Sequence, residues 1–224
     1  MCGRISLLFD DELMAVVEAI ARKTAAKPLT FADKDIERVQ SRVGGQAPVI
    51  VPSGDSVSTE NMIWGIELPW SKKLVFNTRL ESALGGSSMW KAPMQEGRCI
   101  VPAASFFESH ATETILNPKT NRPLKRAYEF IRHDSDPLLL GGVIAEHRFS
   151  IVTTQPNADV ASVHSRMPLV LDFQEVPLWL EGDLKDIAQL ADRTKIRVSS
   201  QPDALQTGVS LRQDELSGSQ LSLF

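Results

Sequence analysis

Short apolar segments bounded by Pro, Gly and polar residues recur along most of this chain, and they limit it to a fold dominated by β-structure. Strands are predicted at residues 48–52, 60–66, 126–132, 138–145 and 149–154. Long helices do not alternate with these strands, as they would in a doubly wound parallel sheet. The pattern therefore predicts an α+β protein built on a large mixed or antiparallel sheet.

The other predicted elements are short. A first helix is predicted from Asp10 or Asp11, either of which can cap it, to about Ala26, because apolar residues recur there at helical spacing. The remaining predictions are strands at residues 2–9, 99–101, 167–171 and 196–199, short helices near Glu81 and at 173–180 and 182–193, and connections over 29–47 and most of 67–97. A single domain is thus predicted over residues 1–199, with a polar tail over 200–224.

Composition excludes several classes of protein. With 224 residues, of which 42% are hydrophobic, the chain can bury a substantial core. The net charge of −4 argues against indiscriminate binding to nucleic acid, although it leaves room for a local basic groove. Neither a transmembrane segment nor a signal peptide is expected. The two cysteines form no disulfide framework and no zinc spacing, so we expect a cytoplasmic protein without a metal or other cofactor.

The opening residues Met1-Cys2-Gly3-Arg4 can give rise to an unusual pair of reactive groups. Removal of Met1, which a small following side chain favours, would leave Cys2 with a free α-amine and a thiol on adjacent carbons. An aldehyde reacts with such an amine to form a Schiff base, and the thiol then closes a thiazolidine ring. An α-amine has a pKa near ~8, so part of it is the neutral nucleophile at neutral pH. The alternative is that Cys2 lies in a frayed terminus without a chemical role.

Three further stretches place reactive groups in apolar surroundings. Asn77 and Arg79 share one face if their segment is extended, where an amide can orient an amine and a guanidinium can bind phosphate. Glu108 follows two phenylalanines, and burial there would raise the pKa of its carboxyl toward that of a general acid or base. His164 and Arg166 would point the same way at the mouth of an apolar strand, where an imidazole can transfer protons. A turn Asn, a solvated Arg, a surface Glu and a structural His are the alternatives.

Two tryptophans and the second cysteine complete the candidates. Trp64 and Trp70 flank a segment that contains Gly and Pro, and together they could form a platform for stacked bases. Such tryptophans lie more often in a core, which is the competing interpretation. Cys99 lies within an apolar run and is predicted to be a buried packing residue.

Taken together and in this order, these stretches resemble the SOS-response-associated peptidase (SRAP) family of abasic-site-processing proteins. The matching stretches, which span about residues 1–199, are Met1-Cys2-Gly3-Arg4, Trp64-Gly65 through Trp70, Asn77-Thr78-Arg79-Leu80-Glu81, Arg98-Cys99-Ile100-Val101-Pro102 through Glu108, and Thr153-Thr154 through His164-Ser165-Arg166-Met167-Pro168. The resemblance implies a barrel-like, largely antiparallel sheet with short flanking helices.

The resemblance also implies a function. Proteins of this family bind abasic sites in single-stranded DNA at the nucleoid or replication fork and form a thiazolidine crosslink that shields the lesion. Carried onto this chain, Cys2 is the nucleophile, Asn77 orients its amine, Glu108 is the acid and base, His164 assists proton transfer, and Arg4, Trp64, Trp70, Arg79 and Arg166 contact DNA. A monomer, a weak lyase activity and self-removal of Met1 are further implications.

Two departures from the family pattern affect the predicted DNA groove. The segment Arg42–Pro48 lacks the Asn of the usual Asn-x-Ala-Pro stretch, which puts one wall of the groove in doubt. Ser109 stands where a Trp often follows the catalytic Glu, so that a wedge against the bases near the lesion is missing. We therefore expect a different preference for double-stranded DNA beside the lesion.

The last five residues resemble a different motif. Gln220-Leu221-Ser222-Leu223-Phe224 is similar to the pentapeptide by which bacterial proteins bind the replication sliding clamp. A flexible peptide with apolar anchors can insert into a preformed groove, and such a tether would raise the local concentration at replication forks. The alternative is a last strand that packs on its own domain.

Two other functions remain open from the sequence. An N-terminal-nucleophile amidohydrolase, such as a glutaminase, would use Cys2 to attack an amide, although no Asn-Gly-Asp-type loop is found. A clamp-binding adaptor for single-stranded DNA would not need the thiol at all. Release of ammonia from glutamine identifies the first, and DNA function that survives Cys2→Ala identifies the second.

Overall fold

The computed structural model describes residues 2–22, 38–117, 120–134 and 136–207. The strands in chain order are β1 (Arg4–Ser6), β2 (Gln40–Arg42), β3 (Gln46–Ser53), β4 (Ser56–Trp64), β5 (Ile66–Leu68), β6 (Ser71–Val75), β7 (Asn77–Arg79), β8 (Arg98–Ala103), β9 (Ser105–Leu116), β10 (Pro123–Arg132), β11 (Leu138–Ala145), β12 (Arg148–Thr154), β13 (Met167–Pro168), β14 (Val170–Leu171) and β15 (Val198–Pro202). The helices are α1 (Asp10–Ala21), α2 (Leu80–Leu84), α3 (Ser88–Glu96), α4 (Ala158–Ala161), α5 (Val176–Glu181), α6 (Leu184–Ile187) and α7 (Ala204–Thr207), with 3₁₀ turns at Phe173–Glu175 and Ala188–Ala191.

Five strands form a closed ring in the order β12, β4, β3, β8 and β11, with β11 pairing again with β12. Neighbours in the ring are antiparallel except for β4 and β12, which run parallel. The short strand β7 also lies parallel to β12 and outside the ring path. The ring confirms the predicted α+β class and the mixed, largely antiparallel, barrel-like sheet.

A second sheet of five strands has the order β15, β10, β9, β1 and β2, and all of its pairs are antiparallel. One apolar core lies between this sheet and the ring, where Ile5, Phe106 and Phe130 of the sheet join Val101 and Phe149 of the ring. A second core lies between the ring and the helices. The two sheets meet along a line that we call the seam. The first residues of the chain lie at this seam, next to the middle of β9 and to one end of the ring.

Several predicted boundaries are wrong. Helix α1 has Phe9, not Asp10 or Asp11, at its N-cap position, and the Glu12 carboxylate accepts the Phe9 N–H at 2.9 Å. The two aspartates lie in the first turn instead, where they interact favourably with the positive end of the helix. The helix ends at Ala21 with Arg22 as its C-cap, and residues 23–26 of its predicted continuation lie outside the described residues.

The connections predicted around 29–47 and 67–97 contain more regular structure than expected. The first region includes β2 and the start of β3, and the second includes the β5–β6 hairpin, β7 and the nine-residue helix α3, which has Pro93 inside it. The predicted strand 167–171 is two strands, because β13 pairs with β12 whereas β14 pairs with β11. Strand β15 reaches Pro202 and α7 follows it, so regular structure continues past the predicted start of the tail.

Within the described part of the chain, the helices are all too short or too polar to cross a membrane.

Candidate active site

A cleft of about 820 Å³ opens at one end of the five-stranded sheet. Its walls come from β1, β2, the β9–β10 hairpin, the turn after α4, and Asp203 with the following helix α7. Glu108 and His164 lie on this surface, and Cys2 lies directly before its Gly3 edge. The cleft therefore joins residues that are far apart in sequence.

Cys2 is fully buried at the seam between the two sheets. Its carbonyl oxygen accepts a hydrogen bond of 2.7 Å from the Asn77 side-chain amide, and its Sγ lies 3.6 Å from the Arg4 carbonyl oxygen. Burial, assisted by the negative charge of Glu108, raises the pKa of the Cys2 thiol well above its usual range. The thiol is therefore protonated at neutral pH, which leaves first attack on an electrophile to a neighbouring amine.

Asn77 begins β7, and pairing of this strand with β12 sets its position opposite Ile151. The Nδ2 of its amide is used by the Cys2 carbonyl. The Oδ1 is buried, and the residues that the structure describes offer it no hydrogen-bond donor. Asn77 therefore presents an acceptor oxygen beside the backbone of Cys2, where it can orient an N–H group.

Glu108 lies in β9 and is only 3% exposed. Burial raises the pKa of its carboxyl to about 7, so the protonated and ionised forms coexist near neutral pH. Its Oε1 lies 3.8 Å from the Nδ1 of His164. These surroundings are what the two preceding phenylalanines predict, and they make the carboxyl suitable as both acid and base.

His164 follows α4 and is partly buried, which lowers the pKa of its imidazole below the usual range. Nδ1 lies 3.1 Å from both the backbone nitrogen and the carbonyl oxygen of Arg166. In one tautomer Nδ1 accepts the Arg166 N–H, and in the other it donates to the Arg166 carbonyl. A neutral imidazole can therefore change tautomer here and keep a hydrogen bond.

The structure thus brings together the four predicted catalytic residues Cys2, Asn77, Glu108 and His164. They come from four separate elements, and each contact joins one to the next: Asn77 to Cys2 by a hydrogen bond, Glu108 to Cys2 by charge, and His164 to Glu108 by proximity. The group combines an amide acceptor, a carboxyl near its midpoint at neutral pH and a neutral imidazole. This combination can orient an amine and transfer protons at a carbonyl.

Two of the three predicted phosphate ligands are already in ion pairs. Arg4 is 7% exposed, pairs with Asp203, and lies with its guanidinium 3.7 Å from the centre of the Phe107 ring. Arg166, equally buried, forms two bonds of 2.7 and 3.0 Å to the Glu81 carboxylate. Both guanidiniums therefore already have a carboxylate partner in the folded protein, and phosphate contacts by Arg4 and Arg166 stay a prediction.

Arg79 differs from them, since it is exposed at the end of β7.

The two predicted tryptophans differ in their burial. Trp64 is fully buried in the ring, where it stacks on Phe149 at 5.9 Å and donates its Nε1–H to the Phe76 carbonyl at 2.9 Å. The predicted role of Trp64 in base contacts is therefore wrong, because the inward face of β4 carries it into the core. Trp70 lies between β5 and β6 and is 74% exposed. Cys99 is fully buried, as predicted for a packing residue.

The cleft residues that were missed from the sequence include Arg42, Lys125, Asp203 and Gln206. Arg42 lies opposite Arg4 in the β1–β2 register, so a polar segment without its expected Asn still supplies a cleft wall. Only the tertiary arrangement could have shown that these residues line the cleft, because each lies in a polar segment without a distinctive motif. The clamp-like residues 220–224 lie outside the described residues. Within the described ranges, we found no cluster of His, Cys, Asp and Glu suited to a metal.

Comparison with known proteins gives a consistent result. A family model described as "SOS response associated peptidase (SRAP)" matches residues 1–206. The chain is 28% identical over 146 residues to "Abasic site processing protein YoqW" of Bacillus subtilis, a match that covers 58% of this chain and 61% of that protein. It is also 28% identical over 216 residues to "Abasic site processing protein YMR114C" of Saccharomyces cerevisiae, covering 82% of this chain and 56% of that protein. The chain thus spans about three-fifths of the length of these curated relatives.

Solved structures support the fold. A phage-related protein from Bordetella bronchiseptica superposes with a TM-score of 0.66 at 22% identity, covering 90% of this chain and 94% of the other. A protein from Bacteroides thetaiotaomicron superposes with a TM-score of 0.61 at 20% identity, covering 91% and 93%. The ring and its second sheet are therefore an architecture shared with other proteins.

Proposed function

Because this chain belongs to the SOS response associated peptidase (SRAP) family, we propose that it processes abasic sites in single-stranded DNA by forming a covalent crosslink through Cys2. The observation that carries the proposal is the juxtaposition of Cys2 with the buried Glu108 carboxyl and the Asn77 amide. The names of the curated relatives, all abasic site processing proteins, agree with it.

The chemistry begins with an amine. Removal of Met1 frees the α-amine of Cys2, which adds to the aldehyde of the ring-opened abasic sugar. The resulting carbinolamine loses water to give a Schiff base. The thiol then adds across the C=N bond: the new C–S bond closes a thiazolidine, and the thiol proton ends on nitrogen. One water leaves overall, and no oxidant or metal is needed.

The residues around Cys2 supply the proton transfers. With a pKa of about 7, Glu108 can give a proton to the sugar ring oxygen as the hemiacetal opens and to the hydroxyl that leaves the carbinolamine. Asn77 Oδ1 accepts an N–H of the attacking amine and so fixes its direction. His164, neutral and close to Glu108, can accept or return a proton. The thiol stays protonated until the Schiff base has formed, which favours attack by the amine first.

The DNA would lie along the cleft, whose Arg42 and Lys125 side chains are exposed. Arg79 and Trp70 are exposed as well and can contact a phosphate and a base. A Schiff base that undergoes β-elimination before the thiol closes the ring would nick the strand, which is the proposed origin of weak lyase activity. Removal of Met1 by the protein itself is a further proposal within this function.

Intact-mass spectrometry tests the crosslink. Mixing the protein with an oligonucleotide that holds one abasic site should give a species with the mass of the protein without Met1 plus the oligonucleotide minus one water. An undamaged oligonucleotide of the same sequence is the control and should give no such species. Full retention of Met1, or an unaltered protein mass with the damaged strand, would contradict the proposal.

We also propose that residues 220–224 bind the bacterial sliding clamp. The support is the sequence Gln-Leu-Ser-Leu-Phe with its three apolar anchors. Deleting residues 220–224 should remove binding to the purified clamp while the crosslinking rate stays unchanged. Unchanged clamp affinity would contradict this part alone.

A further inference from the structure

An acidic residue lies in the cleft beside the positive charge that should receive DNA. Asp203 is 3% exposed, lines the cleft, and forms an ion pair with Arg4. The Arg4 guanidinium also lies over Phe107, the residue next to Glu108, so the pair sits close to the reacting groups. A carboxylate that pairs with Arg4 would compete with a phosphate oxygen for the same guanidinium.

The surrounding cleft favours anions. Arg42 lies opposite Arg4 in the strand register, is exposed, and has no carboxylate within 4.0 Å among the residues that the structure describes. Lys125 is exposed on the facing wall. Asp203 is therefore an acidic residue in a cleft wall that also carries the exposed basic residues Arg42 and Lys125.

The segment that carries Asp203 is joined to β10 by polar contacts. We call residues 203–206 the Asp203 segment. Its backbone N–H at Asp203 donates to the Ala127 carbonyl at 2.9 Å, and the Gln206 side chain accepts from the Ala127 N–H at 2.7 Å and donates to the Lys125 carbonyl at 3.1 Å. Leu205 remains 59% exposed, so little apolar burial holds the segment in place. Contacts of this kind can exchange without loss of the core.

We propose that Asp203 is a built-in competitor for a phosphodiester of the bound strand. As DNA enters the cleft, Arg4 exchanges its bond to Asp203 for a bond to a backbone phosphate, and the Asp203 segment moves aside. The exchange is non-covalent, with one anion replacing another on the same guanidinium. The inference rests on the proposed function, and it explains why a buried, paired arginine lies on the wall of a DNA cleft. It also means that non-specific DNA is held less tightly than the charge of the cleft alone would allow.

Binding of an undamaged single-stranded oligonucleotide, measured by fluorescence anisotropy over a range of salt concentrations, tests the exchange. Asp203→Asn keeps the shape of the side chain and removes its charge. It should bind about threefold to tenfold more tightly at low salt, and the slope of log Kd against log salt should stay close to that of the wild type, since Arg4 contacts the same phosphate in both complexes.

Asp159→Asn is the matched control. Asp159 pairs with Arg197 at 2.9 Å and is not part of the cleft, so this variant changes the net charge by the same amount. It should bind like the wild type. If Asp203→Asn, with a native thermal transition, binds no more tightly than Asp159→Asn, the inference is wrong.

Gln206→Ala decides the question if Asp203→Asn does not fold. This variant weakens the hold on the Asp203 segment and leaves both charges in place, so it should tighten binding by a smaller factor, about twofold. Unchanged or weaker binding by Gln206→Ala would overturn the inference. A separate measurement tests the proposed function. If that function is wrong, the wild-type protein gives no covalent species with the abasic oligonucleotide.

Discussion

Cys2 and Cys99 are equally buried, yet they lie in regions of opposite chemical character. Cys2 lies at the seam between the two sheets, where Asn77 donates to its carbonyl and the charge of Glu108 acts on its thiol. Cys99 lies inside the ring on β8, and its Sγ faces Gly142 so closely that an added Cβ there would come within 2.8 Å of it. Its carbonyl accepts the Trp179 Nε1–H at 2.8 Å.

Burial raises the pKa of both thiols, so neither is a strong thiolate nucleophile at neutral pH. What separates the two regions is therefore the neighbouring groups. Only Cys2 can offer an α-amine, and only Cys2 has an amide acceptor and a carboxyl beside it. The comparison teaches that the reactivity proposed for Cys2 would depend on its amine and its neighbours and not on activation of the sulfur.

The largest expected effect tests the comparison directly. Cys2→Ala should abolish the covalent species with an abasic oligonucleotide, whereas Cys99→Ala should form it at the wild-type rate. Cys99→Ala should instead lower the free energy of unfolding by about 1–3 kcal/mol, because it removes a buried sulfur from a packed ring. Denaturing gels measure the first effect and urea unfolding the second. A Cys99→Ala variant that folds but forms no crosslink would show that the reactive site is wrongly assigned.

The next effect isolates the carboxyl beside Cys2. Glu108→Gln should slow crosslink formation by about 10²-fold, since a positioned acid and base typically contributes that much. Glu60→Gln, which changes an exposed residue on β4, is the matched control and should leave the rate unchanged. Single-turnover kinetics on gels measure both. If both variants react at equal rates, proton transfer by Glu108 is not part of the mechanism.

A smaller effect is expected from the amide that faces Cys2. Asn77→Asp replaces the donor to the Cys2 carbonyl by a group that repels it, so the crosslinking rate should fall by about tenfold. Asn61→Asp, an exposed position on β4, makes the same chemical change away from the site. A rate for Asn77→Asp equal to that of Asn61→Asp would mean that Asn77 does not position the nucleophile.

The last effect concerns stability and pH. The pKa of Glu108 is raised from 4.5 to about 7 in the folded protein, so between these values the folded state binds more protons than the unfolded state. The free energy of unfolding should therefore fall as pH rises from 4.5 to 7, with a contribution from Glu108 of the order of 1 kcal/mol per pH unit. This contribution is fully present below pH 4.5 and is lost as pH rises through the folded pKa.

Urea unfolding of wild type and Glu108→Gln over this pH range measures the contribution of Glu108 alone. The variant should show a flatter dependence on pH. Cys99→Ala, which leaves Glu108 untouched, should keep the wild-type slope. Parallel curves for wild type and Glu108→Gln would show that the carboxyl near Cys2 titrates normally.

Long apolar runs made part of the fold predictable. Strands β11 and β12 lie within one residue of their predicted bounds, because both faces of these strands are buried and the run of apolar residues marks their full length. Strand β9 was not predicted, since its outer half is polar and is kept extended by pairing with β10. Helix α3 was missed because Pro93 interrupts its pattern.

For the site, the sequence identified which chemical groups are present and, through family resemblance, grouped Cys2, Asn77, Glu108 and His164. The tertiary structure decided the burial and the ion pairs of the other candidates. It buried Trp64 in the ring, paired Arg166 with Glu81 and paired Arg4 with Asp203. The physical reason is distance along the chain. Burial and ion pairing depend on strand register and sheet closure, which join positions as far apart as residues 4 and 203, whereas local sequence patterns extend over one element at a time.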